Sequence, residues 1–157
     1  MNDEVRSSIL RNGSMSNLKE TYAVASVKTF IKKDGKILIL RESADYQEGS
    51  HIGRFIMPGG KVNENEGFRD TLKREVKEEC GLEIEISRPF SVAEWYVQIP
   101  NKPKHIVATY FVCDYKGGDV KLNEEFDEFV WIDPKDYGLY DINREAKEAF
   151  VEYLKIV

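Results

Sequence analysis

Two β-rich runs, "TYAVASVKTFIKK" and "KILILRE", are separated only by Asp34 and Gly35, and this pairing restricts the fold more than any other stretch. Asp-Gly accepts the positive φ values that a two-residue hairpin turn needs. A chain with a hairpin near its start must build a sheet, and the apolar face of a sheet needs other layers to cover it. The remaining sequence supplies them. The runs "LEIEISRPF", "AEWYVQI", "HIVATYFVCDY" and "EFVWI" read as four more strands, with "KGGD" as a turn between the last two. From about Gly67, the residues Phe68, Leu72, Val76 and Cys80 recur every four positions as one apolar stripe, and Gly81 sits where a left-handed cap would end a helix. A second helix is expected in "DINREAKEAFVEYLKIV", with Asp141 or Asn143 as its cap and Ala146, Phe150, Val151 and Leu154 on one face. Between hairpin and first helix, "SADYQEGSHIGRF" reads as a surface loop and "MPGGK" as a turn. The order predicts one α+β domain over residues 21–157, a mixed or antiparallel sheet sandwiched between helices.

With 157 residues, 41% of them hydrophobic, the chain suits one core that folds without disulfides or structural metal. Residues 1–20, "MNDEVRSSILRNGSMSNLKE", are polar and aperiodic and read as a flexible N-terminal extension, with Met15 a conceivable natural start. A balance of 23 basic against 28 acidic residues, net charge -5, argues against a polymeric nucleic acid as partner. Cys80 and Cys113 lack CxxC spacing, and His51 and His105 are isolated, so neither a disulfide framework nor zinc is expected. No apolar run approaches the roughly 18–20 residues of a membrane span, and the N-terminus lacks a signal-peptide layout. A cytoplasmic protein without a membrane partner is the expectation.

The segment "REVKEECG", Arg74 to Gly81, crowds Glu75, Glu78 and Glu79 into the last turn of the first helix. Like charges three and four residues apart repel by a few tenths of a kcal/mol per pair. Each carboxylate is also unfavourable at the negative end of a helix, by roughly 0.3–1 kcal/mol. The three fall within an arc of about 100° on a helical wheel, with Glu79 overlapping the apolar stripe. A hard divalent cation, which takes oxygen ligands, would neutralise them. A solvated acidic helix end explains the three glutamates alone equally well.

The wider spacing is more specific. Gly60, Glu66, Arg74, Glu75, Glu78, Glu79 and Gly81 fit G-x5-E-x7-R-E-U-x-E-E-x-G-U, with Val76 and Leu82 at the aliphatic positions, and this resembles the Nudix box at every fixed position. Seven such identities arise by chance on the order of 10⁻⁷ per window, taking residue frequencies of about a tenth or less. "GRFIMPGGK" is similar to the run that precedes the box in the family, with Phe55 where tryptophan is frequent. "EEFDEFVWI" resembles the segment where many members carry a further acidic residue. The resemblance implies a Nudix-type α/β/α sandwich with a mixed β-sheet, although only Gly53 to Leu82 carries a specific motif.

It further implies hydrolysis of a nucleoside diphosphate linked to another moiety, a small-molecule nucleotide, with Mg²⁺ as cofactor and Mn²⁺ as a substitute. Glu75 and Glu79 are the implied direct ligands, Glu78 a ligand or water-mediated partner, and the Gly60 carbonyl a further oxygen. The general base stays open among Glu75, Glu125 and Glu128. Arg74 is expected to orient a carboxylate such as Glu66 through its guanidinium fork. Outside the box, Arg41 and Arg54 are candidates for phosphates, and Phe55, Trp95 and Tyr96 for stacking on a base, although each is more often surface charge or core filling. His51 and His105 read as ordinary surface or strand residues. The leading expectation is a MutT-like nucleoside triphosphate pyrophosphohydrolase. A second is cleavage of ADP-ribose or a dinucleoside polyphosphate, for which Pro100 and Tyr96 are the nearest residues, neither at the usual offset. A third, of another class, is a non-catalytic nucleotide-binding domain; retention of Arg74, Glu75, Glu78 and Glu79 weighs against it. Homodimerisation stays open.

Overall fold

The computed structural model describes residues 21–100 and 102–157, so the extension expected over residues 1–20 lies outside the described residues. β1 (Tyr22–Lys33) and β2 (Lys36–Glu42) form the expected hairpin, Asp34 and Gly35 taking φ of 50° and 76° and Lys33 lying opposite Lys36. Beyond the turn the two strands take different partners. β1 runs parallel to β6 (Lys104–Gly117), from Tyr22 beside Lys104 to Lys32 beside Asp114, and antiparallel to the short β4 (Gly59–Lys61). β2 pairs antiparallel with β3 (Phe55–Ile56) and with β7 (Phe126–Ile132). β5 (Glu83–Val97) closes the far edge against β6, giving one mixed seven-stranded sheet.

Three details differ from the sequence reading. "MPGGK" is more than a turn, because Gly59–Lys61 joins the sheet as β4; a Cβ on Gly59, at φ 147°, would lie 2.1 Å from the Val27 carbonyl oxygen. The two strands expected in "LEIEISRPF" and "AEWYVQI" are the single β5, which absorbs Pro89 through register shifts between Ile86 and Arg88 and between Pro89 and Ser91. An edge strand tolerates a proline there because it has a free side where no ladder bond is needed. After "KGGD" the chain does not fold back as a hairpin but crosses to β2.

Alternation along the strands supplies two apolar faces. Phe30, Ile37, Ile39, Tyr110 and Val112 pack under α2 (Arg144–Leu154), while Ile31, Leu38, Leu40, Phe111 and Cys113 pack under α1 (Phe68–Cys80). The sheet is thus the middle layer of an α/β/α sandwich. On α1, Leu72, Val76 and Cys80 are fully buried, Phe68 stacks on Phe111 at the rim, and Gly81 caps the helix at φ 74°. On α2 the buried face is Ala146, Ala149, Phe150 and Tyr153, with Val151 exposed, so the expected stripe is rotated. Burial pushes both cysteine thiols up to about 12, which keeps them protonated and inert at neutral pH. Among the described residues no helix is long and apolar enough to cross a membrane.

Candidate active site

The crowded end of α1 is relieved first by its own arginine. Arg74 clasps Glu66 with two hydrogen bonds, Nε to Oε2 at 2.8 Å and Nη2 to Oε1 at 2.9 Å. Its Nη1 donates to Glu75 Oε1 at 3.0 Å and to Glu78 Oε2 at 3.2 Å. One guanidinium therefore serves three carboxylates, and the bidentate arm fixes its plane. Hydrogen bonds from Arg74 and Thr71 hold the Glu66 carboxyl far below the usual range, at about 2. A carboxyl with a lowered folded pKa adds stability above its unfolded value, and that stability is lost as pH falls towards the folded one. Glu66→Gln is accordingly expected to be less stable than wild type at pH 6, with the difference narrowing between pH 4.5 and about 2. Urea melts across that range measure it.

Glu79 faces the other way. It is 2% exposed, and its Oε1 accepts the Gly59 N–H at 3.1 Å. Burial pushes its carboxyl well up; Lys28 opposes this, while Glu75 and Glu125 add to it. Glu75 lies directly on Gly60, where an added Cβ would come within 2.6 Å of the carboxylate. The Gly60 carbonyl accepts Ser26 Oγ at 3.2 Å. β4 thus brings Gly59 to Glu79 and Gly60 to Glu75, and Gly59, Gly60 and Glu79 line a cleft of about 350 Å³ whose walls include Lys28, Glu42, His51, Trp95 and Glu125. Burial, with Glu75 adding to it, also raises the Glu125 carboxyl. Gly60→Ala is expected to displace the Glu75 carboxylate and cut turnover by about a hundredfold, the scale of a 1 Å misplacement at a reacting centre, with the fold retained. Kinetics alongside circular dichroism check it.

The donor set fits a hard divalent cation. Glu75, Glu79 and the Gly60 carbonyl offer only oxygen, and a buried carboxylate that holds a single N–H, with Lys28 set against both Glu75 and Glu125, gains from the neutralisation that such an ion provides. Among the described residues no three acidic, histidine or cysteine side chains already stand in ligating geometry. Arg74 accounts for part of this by holding Glu75 and Glu78, and Glu78 is half exposed.

The other sequence candidates divide. Trp95 lines the cleft. Arg41 and Glu128 do not, because Arg41 is paired with Asp127 at 2.8 Å and with Glu128 at 2.7 Å across the β2–β7 ladder. Arg54 is exposed beside Asp141 at 3.5 Å. Phe55 is 8% exposed in the α2-side core, edge-on to Tyr140, which leaves no ring face for a base. Tyr96 stacks outside the cleft on His105, 4.5 Å between centroids. Cleft residues that the sequence reading missed are Lys28, Glu42, Lys61 and Lys104, together with His51, read as ordinary. Lys28 had a signal, a charge interrupting the apolar run "VASVKTFI". Glu42 accepts the His51 N–H at 2.8 Å and so ties down the loop before β3, a role that only the fold reveals.

A mixed sheet lies between two helices, with a glutamate-bearing helix end laid against a Gly-Gly strand. The sequence model of the NUDIX domain matches residues 21–154, and the chain belongs to that family. Hydrolases of this family generally need a divalent metal. Among relatives, the chain is similar to the nucleoside triphosphatase NudI of Escherichia fergusonii, 28% identical over 126 residues that cover 76% of this chain and 88% of the relative. Among solved structures it resembles a MutT protein from Methanosarcina mazei, with a TM-score of 0.74, 27% identity and coverage of 87% of this chain and 96% of the other. It also shares the fold of the E. coli ORF135 protein, at a TM-score of 0.65 and 23% identity over 88% of this chain and 94% of that one.

Proposed function

We propose that this chain is a divalent-cation-dependent nucleoside triphosphate pyrophosphohydrolase, releasing nucleoside monophosphate and pyrophosphate. The observation that carries the reading is the buried Glu79 on the Gly59 N–H, which with Gly60 lines a cleft whose walls also carry Lys28, Lys61 and Lys104, while Glu75 lies against Gly60. A polyphosphate needs this combination of carboxylates to hold a cation and ammonium groups to hold phosphate oxygens. The bound cation supplies charge neutralisation and Lewis acidity at the phosphates. Glu75, Glu79 and the Gly60 carbonyl would hold it, with the half-exposed Glu78 beside them. Arg74 keeps Glu75 and Glu78 in register.

Glu125 is the general base in this reading. It lines the cleft, and its raised carboxyl brings it nearer neutrality, where a base accepts a proton most effectively. Glu128 is committed to Arg41 and has no such access. Trp95 offers the ring face for a nucleobase. The relative named a nucleoside triphosphatase and the neighbour named MutT support a triphosphate substrate. Tyr96 lies outside the cleft and Pro100 lines a separate depression, so the two residues named for ADP-ribose do not meet in it.

Product analysis with Mg²⁺ tests the reading across ordinary and oxidised nucleoside triphosphates, ADP-ribose and diadenosine polyphosphates, with Glu79→Gln as the blank. Monophosphate and pyrophosphate from a triphosphate are expected. AMP from ADP-ribose alone overturns the substrate class, and absence of turnover on every substrate overturns the enzymatic assignment.

A further inference from the structure

The last turn of a helix leaves its final carbonyl groups without partners inside the helix. At the end of α1 two of them are met by the segment that leads from β6 to β7. Lys121 N–H donates to the Cys80 carbonyl at 3.0 Å, and Asn123 N–H donates to the Glu79 carbonyl at 3.2 Å. The stretch is a strap laid along the helix end, and it runs on into Glu125, which lines the cleft.

Asn123 is the residue at which this strap turns. Its Oδ1 accepts the Glu125 N–H at 3.0 Å, and its carbonyl accepts the Phe126 N–H at 3.3 Å. Asparagine favours such a turn because its amide oxygen reaches a backbone N–H two residues on. An N–H can face only the oxygen of the amide, which leaves the NH₂ side for the Glu125 carboxylate, with Nδ2 3.5 Å from Oε1. That contact is long, as bonds to a catalytic group often are before substrate binds. On its other side, the Glu125 carbonyl accepts the Ser43 N–H at 2.7 Å, and Phe126 is buried, so the Glu125 backbone is held from both directions.

Glu79 and Glu125 belong to different elements, the end of α1 and the approach to β7, and Asn123 bonds to both. A general base acts only within hydrogen-bond reach of the proton it takes, and a misplacement of about 1 Å can cost about a hundredfold. Resting on the reading of Glu125 as general base, we infer that Asn123 is a positioning residue: its N–H ties the strap to Glu79, and its side-chain amide sets the Glu125 carboxylate in the cleft relative to Glu79. An asparagine that only formed a turn would hold the Glu125 backbone; this one also faces the carboxylate.

Kinetics with Mg²⁺ on ATP, GTP, CTP and UTP, together with Mn²⁺ binding followed by electron paramagnetic resonance, test this. Asn123→Ala removes the side-chain bonds and leaves the N–H to Glu79. Its kcat is expected to fall about tenfold or more, with KM and the Mn²⁺ dissociation constant within about twofold of wild type. Glu125→Gln removes the base itself and is expected to lower kcat about a hundredfold or more. The double variant is decisive. A residue that acts only through Glu125 has nothing left to position once the base is gone, so the double variant is expected to match Glu125→Gln within about twofold, whereas a purely structural loss would multiply with it. Asn123→Asp keeps an acceptor for the Glu125 N–H but sets a like charge against the carboxylate. It is expected to melt as wild type does and still lose kcat, and it replaces Asn123→Ala in the comparison if the alanine variant does not fold. An unchanged kcat in either Asn123 variant, multiplied losses in the double variant, or loss of Mn²⁺ binding in Asn123→Ala overturns the inference. Full turnover by Glu125→Gln removes the base reading and this inference with it, while the hydrolase assignment stands; no turnover of any nucleotide removes all three.

Discussion

Glu79→Gln is expected to lower cation-dependent turnover at least about a hundredfold. A bound divalent ion contributes several kcal/mol of charge stabilisation to phosphoryl chemistry, and each 1.36 kcal/mol is tenfold in rate. Glutamine keeps the shape of the side chain and its bond from the Gly59 N–H but removes the charge proposed to hold the ion. Stability is expected to move in the opposite direction. The folded Glu79 carboxyl is raised above 4.5, so the folded state binds the proton more tightly, and cation-free stability declines as pH rises from 4.5 through the folded value. Glutamine carries no such burden. In chelator at pH 7 the variant is therefore expected to melt above wild type, and Mg²⁺ is expected to raise the melting temperature of wild type only. Turnover comparable to wild type would remove Glu79 from the metal site.

Leu72→Ala is expected to cost roughly 2–5 kcal/mol, the range for truncating a buried leucine. Leu72 is fully buried, packed with Val27, Leu38 and Leu40 of the sheet and with Val76 of its own helix. For a domain of this size the change corresponds to about 4–20 °C in melting temperature. Val151→Ala, on a helix face that is 43% exposed, is expected to stay within about 0.5 kcal/mol. A Leu72→Ala melt as high as that of Val151→Ala would contradict the apolar contact between α1 and the sheet.

The sandwich, the hairpin and α1 were legible because each follows from local periodicity or from one turn. Asp34 and Gly35 dictate left-handed backbone, and Leu72, Val76 and Cys80 repeat at helical spacing. The box glutamates were legible for a related reason, since their spacing is itself the geometry of one helix. The cleft walls were not. Lys28, Glu42 and Lys104 come from three different strands, and only the partner choices of β1 and β2 bring them together. Arg41 and Glu128 illustrate the converse, two candidates that neutralise each other because β2 and β7 place them side by side. Phe55 carried an ambiguity that sequence could not resolve, because an aromatic suits a core and a base equally well. Asn143 was legible as the residue that starts α2, but its side chain bonds Glu145 rather than capping the helix.

The central strand pairing has a consequence for synthesis. β1 lies parallel to β6, and β2 lies against β7, so the hairpin completed first waits for partners made near the end of the chain. Loops this long must close before their contacts repay the entropy, which makes such topologies slow to fold. A nascent chain released only as far as α1 would carry Glu75, Glu78 and Glu79 and still lack Trp95, Lys104 and Glu125 of the cleft. Those walls of the cleft therefore arrive later in the chain's own production than the carboxylates of the helix end.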